Sequence, residues 1–144
     1  MIETKELVEI AIISIGDMLG RFTSRAYGLL VVEILVTDIA TRDPNPLFKC
    51  IQINTDPDKK NVSIDDAVTL MEQEVIESGL SILMKRISAL TGKQTAEVKQ
   101  ELWVYLTKNC FAQPINPWVS KRIMGDLRII LGLEGVMETD ADLI

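Results

Sequence analysis

The chain has 144 residues, of which 47% are hydrophobic and 25% are charged, and its formal net charge is −6. This length and composition are typical of one globular domain that buries about two-thirds of its unfolded surface, so we expect a single domain over residues 1–144. The chain contains no histidine. That absence excludes Ser-His-Asp and Cys-His catalysis, the usual zinc ligand sets and di-iron Glu-x-x-His bundles.

No segment predicts a membrane span or a signal peptide. The longest nearly uncharged runs, residues 7–16 and 26–40, fall short of the roughly 20 residues that cross a bilayer. The acidic start of the chain has neither a basic region nor a small-residue cleavage site, so we expect a cytoplasmic protein. Cys50 and Cys110 have no CxxC partner, and in this context two buried, reduced thiols are the better prediction than a disulfide.

Charge is distributed unevenly along the chain. Residues 1–78 carry a net charge of −7, residues 79–133 carry +5, and residues 134–144 carry −4. Such a bipolar chain favours head-to-tail self-association or a charged partner, although chance also produces blocks of this kind.

The first half of the chain predicts two helices. Residues 3–22 carry apolar side chains at three- and four-residue spacing, up to and including Phe22. Ser24 is then a candidate N-cap. Residues 26–41 are apolar on nearly all sides, and their length favours a helix that ends before the prolines at 44 and 46.

A β-hairpin over residues 27–55 is the alternative for this region. Its first strand would come from the β-branched residues of 27–41, and its second from residues 47–55, where apolar and polar side chains partly alternate. Residues 55–61 then predict a polar surface loop.

The second half predicts helices throughout. Ser63 and Asp66 form a variant of the capping box, which predicts a helix over 64–78 that buries Ala67 and Leu70. Gly79 would separate it from a continuation over 80–90, which Gly92 would end in a left-handed conformation.

Two more helices are predicted over 96–109, capped by Thr95, and over 117–131, started by Asn116 and Pro117 and ended by Gly132. The acidic tail from Glu134 is expected to be exposed. The fold class is therefore all-α, a compact bundle of five or six helices.

Three carboxylates, Glu72, Glu74 and Glu77, fall within about one helical turn. All-helical nucleotide pyrophosphohydrolases bind magnesium with a Glu-Glu-x-x-Glu helix and a later Glu-x-x-Asp helix, and this chain has neither motif in full. Glu33 and Asp38 are five residues apart and point to different helix faces. A solvated acidic face is the better interpretation, so we predict no metal site and no cofactor, with a magnesium-dependent hydrolase as the alternative.

Residues 79–133 differ most from the rest of the chain in composition. Their basic residues occur together with both tryptophans, Trp103 and Trp118, and with Tyr105 and Phe111. Such residues can neutralise phosphates and stack on bases, although a core role is commoner for the aromatic residues. The candidate nucleic-acid-binding residues are Lys85, Arg86, Lys93, Lys99, Lys108, Lys121, Arg122 and Arg128.

These patterns predict a non-catalytic helical subunit of a larger assembly. The assembly would be a nucleoprotein complex, with the basic stretch facing the phosphate backbone and the acidic segments facing protein subunits. In size and architecture the chain resembles the small helical subunits of CRISPR effector complexes, which act in antiviral defence and bind RNA, and some viral assembly factors. A protein interaction module without nucleic-acid contact is the further alternative, and we expect no membrane partner.

Overall fold

The computed structural model describes residues 3–54, 61–111 and 117–133, with the side chains of residues 117–119 outside the description. In this part of the chain five α-helices pack together with one short strand pair, so the predicted all-α bundle is confirmed. In chain order the elements are α1 (Thr4–Leu19), α2 (Arg25–Arg42), β1 (Ile51–Ile53), β2 (Val62–Ile64), α3 (Gln73–Thr91), α4 (Thr95–Phe111) and α5 (Pro117–Ile130). The predicted loop at 55–61, the Asn116 cap and the tail from Glu134 fall wholly or almost wholly outside the described residues.

Helices α1 and α2 pack with their backbones in contact. A Cβ atom on Gly28 would lie 1.7 Å from the carbonyl oxygen of Gly16, so no side chain fits between the two helices at this point. Ser24 starts α2 as predicted, because its hydroxyl accepts a hydrogen bond from the backbone N–H of Tyr27 at 3.1 Å. The chain therefore reverses direction in the five residues between the two helices.

A polar network holds α4 against this pair. Arg25 of α2 donates two hydrogen bonds to the carboxylate of Asp17 in α1, at 2.6 and 2.9 Å. The side-chain amide of Asn109 in α4 donates to Asp17 at 3.0 Å and to the buried hydroxyl of Ser14 at 2.9 Å. Because a two-oxygen Arg–carboxylate contact fixes both position and orientation, the network sets how α4 lies across α1 and α2.

The core surrounds α1, which contacts α2, α4, α5 and β2. All five helices contribute side chains with no exposed surface, among them Val8, Ala11, Ile12, Ile15, Val32, Leu80, Leu83, Ile87, Leu102, Leu106 and Leu127. Cys50 and Cys110 are also buried, and both are free thiols as predicted.

The hairpin alternative for residues 27–55 is wrong, because residues 25–42 form a helix. The strand pair that does form joins β1 to β2 in antiparallel register, with Ile51 opposite Ile64 and Ile53 opposite Val62. The buried side chains of Val62 and Ile64 pack under α1, which accounts for this choice of partner. Each strand is three residues long, too short to give a clear alternating pattern in the sequence.

The predicted helix over 64–78 is also wrong at its start. Ser63 lies in β2, and the capping role belongs to Asp65, whose carboxylate accepts the backbone N–H of Ala67 at 2.8 Å and begins a 3₁₀ segment, Asp66–Leu70. Helix α3 begins only at Gln73 and then passes through Gly79 without a break. A Cβ on Gly79 would lie 2.7 Å from Leu47, so this glycine leaves room for a neighbour and does not end a helix.

Three side chains predicted to be buried are exposed: Phe22, Ala67 and Leu70. Phe22 is 87% exposed because α1 ends at Leu19, so the helical spacing no longer applies to it. Leu70, at 89%, and Ala67 lie on the 3₁₀ segment, whose shorter repeat turns them away from the core. The predicted helix ends at Gly92 and Gly132 are confirmed, since both glycines adopt positive φ angles of 71° and 65°.

Replacing Gly28 with alanine should destabilise the protein by about 1–3 kcal/mol, because the new methyl group would push α1 and α2 apart. Gly125→Ala is the matched control. Gly125 also lies inside a helix, but a Cβ there meets nothing within 4 Å. The control should therefore gain about 0.5–1 kcal/mol from helix propensity. Urea unfolding of both variants measures the two effects, and a stabilised Gly28→Ala variant would contradict the close contact.

Candidate functional site

Seven of the eight predicted basic residues lie on three helices, Lys93 lies in the turn between α3 and α4, and their surroundings differ. On α3, Lys85 is exposed, whereas Arg86 is half-buried and forms an ion pair with Asp38 of α2. Asp38 also pairs with Arg42 at 3.2 Å. The hydrogen bond from Arg86, together with Arg42, lowers the pKa of Asp38 below its usual value. Arg86 therefore holds α3 against α2.

Lys93 has a similar role in the turn just before α4. Its ammonium forms an ion pair with Glu101, which also accepts a hydrogen bond from Arg21 at 2.5 Å. Burial raises the pKa of Glu101, but the hydrogen bonds from Lys93 and Arg21 outweigh that effect and leave the pKa below its usual value. One carboxylate thus binds two cations, each of which keeps further N–H donors.

Lys99, Trp103 and Arg128 lie where α4 meets α5. The guanidinium of Arg128 stacks over the Trp103 ring, 4.8 Å from its centroid, and its Nε donates to the Leu133 carbonyl at 3.3 Å. Trp103 is only 6% exposed, so its ring belongs to the core. The Nζ of Lys99 lies 3.8 Å from where a Cβ on Gly132 would be, close to the end of α5.

The remaining basic residues are exposed. Lys108 lies 5.8 Å from the centroid of the half-buried Tyr105 ring. Lys121 and Arg122 are neighbours on the outer face of α5, and neither forms an ion pair with another residue in the described ranges. Trp118 lies in α5, with its side chain outside the described part. Lys121 and Arg122 are thus the adjacent pair of predicted residues most accessible to a partner.

The acidic residues of the hydrolase alternative are spread over the start of α3. Glu72 precedes the helix, Glu74 is exposed in its first turn, and Glu77 accepts a hydrogen bond from Gln73 at 3.0 Å. Over residues 3–54, 61–111 and 117–133 no group of three or more Cys, Asp or Glu side chains is arranged to hold a metal ion. The magnesium-dependent hydrolase remains a prediction from the sequence.

An apolar stripe on the outer face of α2 was not predicted from the sequence. Tyr27, Leu30 and Ile34 are 53%, 43% and 62% exposed, and their spacing of three and four residues places them on one side of the helix. Thr37 and Thr41 continue the same side and are exposed. The sequence did carry a signal for this stripe, because α2 is apolar on nearly all sides. A helix of that kind is normally buried on every side, so its exposed side predicts a partner. We call these five residues the α2 stripe.

A cavity of about 260 Å³, which we call the Arg21 cavity, opens between the α1–α2 turn, α3 and the start of α4. Its apolar lining consists of Met18, Leu19, Ile87 and Val98. Arg21, Lys93 and Glu101 lie at the same cavity, and the exposed Phe22 ring is stacked 4.8 Å from the Arg21 guanidinium. Only Lys93 of this group was predicted as a site residue, because Arg21 and Glu101 are 80 residues apart in the sequence.

The two thiols are poorly suited to nucleophilic chemistry. Burial raises the pKa of Cys110 to about 11, and burial together with the nearby Asp65 raises that of Cys50. A thiol acts as a nucleophile in its thiolate form, which these environments disfavour at neutral pH.

Comparisons of the chain with protein-family models, curated proteins and solved structures found no match. Within the described ranges, every helix is too short or too polar to cross a membrane.

Replacing Glu101 with glutamine should destabilise the protein by about 1 kcal/mol at pH 7, since Arg21 and Lys93 both lose their carboxylate. The lowered pKa of Glu101 means that its contribution is present above the unfolded-state pKa and is lost as the pH falls through the folded-state pKa. The difference between wild type and variant should therefore shrink between about pH 5 and pH 3.

Urea unfolding across this pH range measures the change. Glu33→Gln is the control, because it removes one carboxylate from the middle of α2 without removing an ion pair among the described residues. A pH-independent difference for the Glu101 variant would contradict the ion-pair role.

Proposed function

We propose that the protein is a non-catalytic helical subunit of a larger assembly, in which copies of the chain associate through the α2 stripe. The observation that carries this proposal is the exposure of Tyr27, Leu30 and Ile34 on one side of α2, whose opposite side is buried in the protein. Three adjacent exposed apolar side chains form a patch, and such patches mark interaction surfaces more often than isolated ones do.

The spacing of the stripe suits a helical partner. Residues 27, 30, 34, 37 and 41 follow the alternating three- and four-residue steps at which two packed helices contact each other. None of these five side chains is charged, so two copies can face each other without repulsion at the contact. A two-fold contact requires such a self-complementary surface, and two-fold dimers are the commonest soluble oligomers. These points favour a second copy as the partner.

Replacing Leu30 and Ile34 with glutamate should abolish the association, because each two-fold contact would then bring four carboxylates into an apolar interface. Light scattering during gel filtration, over protein concentrations from about 1 to 200 μM, measures the molar mass. Wild type should reach the dimer mass within this range, corresponding to a free energy of association of at least about 7 kcal/mol.

Val104→Glu is the matched control, since Val104 is also an exposed apolar helix residue, 52% exposed, but lies on α4. The control should dimerise like the wild type. A wild type that stays monomeric throughout, or a control that dissociates like the stripe variant, would refute association through the stripe.

A second candidate function is contact with a nucleic-acid backbone, and we propose Lys121 and Arg122 of α5 as its centre. Both side chains are exposed and neither is paired within the described part of the chain, which leaves their charges accessible to phosphate. Such contacts position a protein on nucleic acid without reading sequence. The net charge of −6 opposes tight binding by one copy, but association of copies raises the effective concentration of each site.

Reversing both charges, Lys121→Glu with Arg122→Glu, should remove binding to a fluorescent single-stranded oligonucleotide. Wild-type affinity should fall steeply between about 50 and 200 mM salt, with a slope that reflects roughly one released counterion per phosphate contact. Lys85→Glu is the control, because Lys85 is exposed on a different helix. Fluorescence anisotropy measures all three proteins. Absence of wild-type binding at 50 mM salt, or equal loss in the control, would exclude α5 as the contact.

A further inference from the structure

We propose that the Arg21 cavity is the docking site for residues 140–144 of the same chain, an acidic segment that ends in two apolar residues. The sequence of this segment is Asp-Ala-Asp-Leu-Ile. The segment lies beyond the described residues. None of the residues of this contact belongs to the α2 stripe, so docking in the cavity and association through the stripe can fail independently.

The chemistry of the cavity matches this segment. Met18, Leu19, Ile87 and Val98 form an apolar lining, and a cavity of about 260 Å³ has room for one or two aliphatic side chains. Arg21 and Lys93 share the single carboxylate of Glu101, so the group carries one excess positive charge. A carboxylate next to an aliphatic side chain satisfies both features, and Asp142 next to Leu143 provides them.

The path of the chain also allows the contact. The described residues end at Leu133, and the preceding Gly132 lies beside the Nζ of Lys99. Lys99 follows Val98, which lines the cavity. An extended chain covers about 3.3 Å per residue, so nine residues, the number from 134 to 142, can reach at most about 30 Å. That length exceeds the roughly 26 Å of the whole of α4, which has 17 residues.

Carbodiimide cross-linking of the full-length protein tests the contact, because this reagent joins amines to carboxylates that touch each other. Mass spectrometry should find Lys93 joined to Asp140 or Asp142 in addition to its observed partner Glu101. A mixture of ¹⁴N- and ¹⁵N-labelled protein distinguishes links within one chain from links between copies, and the links should lie within one chain.

Two variants separate the apolar and charged parts of the contact. Leu143→Ser with Ile144→Ser keeps every carboxylate, yet the Lys93 links to the segment should fall by about tenfold, since burying one such side chain changes an equilibrium by at least that factor. Lys93→Arg should remove these links, whereas Lys121→Arg should leave them unchanged.

Several outcomes would overturn the proposal. These are links from Lys93 to Glu101 alone, equal coupling of the segment to Lys85, Lys108 and Lys121, no effect of the serine replacements, or links found only between differently labelled copies. The last result would assign the cavity to the segment of a second copy and reject docking within one chain.

Discussion

The close contact between α1 and α2 is the constraint on which the rest of the structure depends. The backbones meet at Gly16 and Gly28, and at this distance any side chain larger than hydrogen would separate them. The contact holds Asp17 and Arg25 within hydrogen-bonding distance of each other, and α4 is then attached to that pair through Asn109. One steric requirement at two glycines thus positions three helices.

The same contact decides what the surface presents. Because α2 turns its glycine side toward α1, its opposite side faces outward and carries the α2 stripe. The short turn between the helices exposes Phe22 and places Arg21 beside Glu101 of α4. The two surfaces from which we infer function, the stripe and the Arg21 cavity, are therefore both consequences of how α1 and α2 pack.

Ion pairs between distant segments bring together acidic and basic residues that are far apart in the sequence. Asp38 binds Arg42 and Arg86, and Glu101 binds Arg21 and Lys93, so each of these carboxylates joins elements far apart in the chain. Two of the eight basic residues predicted to bind nucleic acid are in this way used to hold helices together. Lys85, Lys108, Lys121 and Arg122 remain exposed, and the last two are neighbours on α5.

The sequence by itself determined the class of the fold, the two helices at the start, both glycine-ended helices and the buried thiols, because these depend on local periodicity and on backbone conformations that few residues adopt. It did not determine that Val62 and Ile64 pair with β1, since three-residue strands are selected by packing under α1. It also left open which basic residues are paired, because Arg21 and Glu101, or Asp38 and Arg86, meet only after the helices pack. The sequence showed that α2 is apolar on nearly all sides. Only the tertiary structure decided which side stays exposed, because the α1 contact at Gly28 fixes the rotation of the helix about its axis.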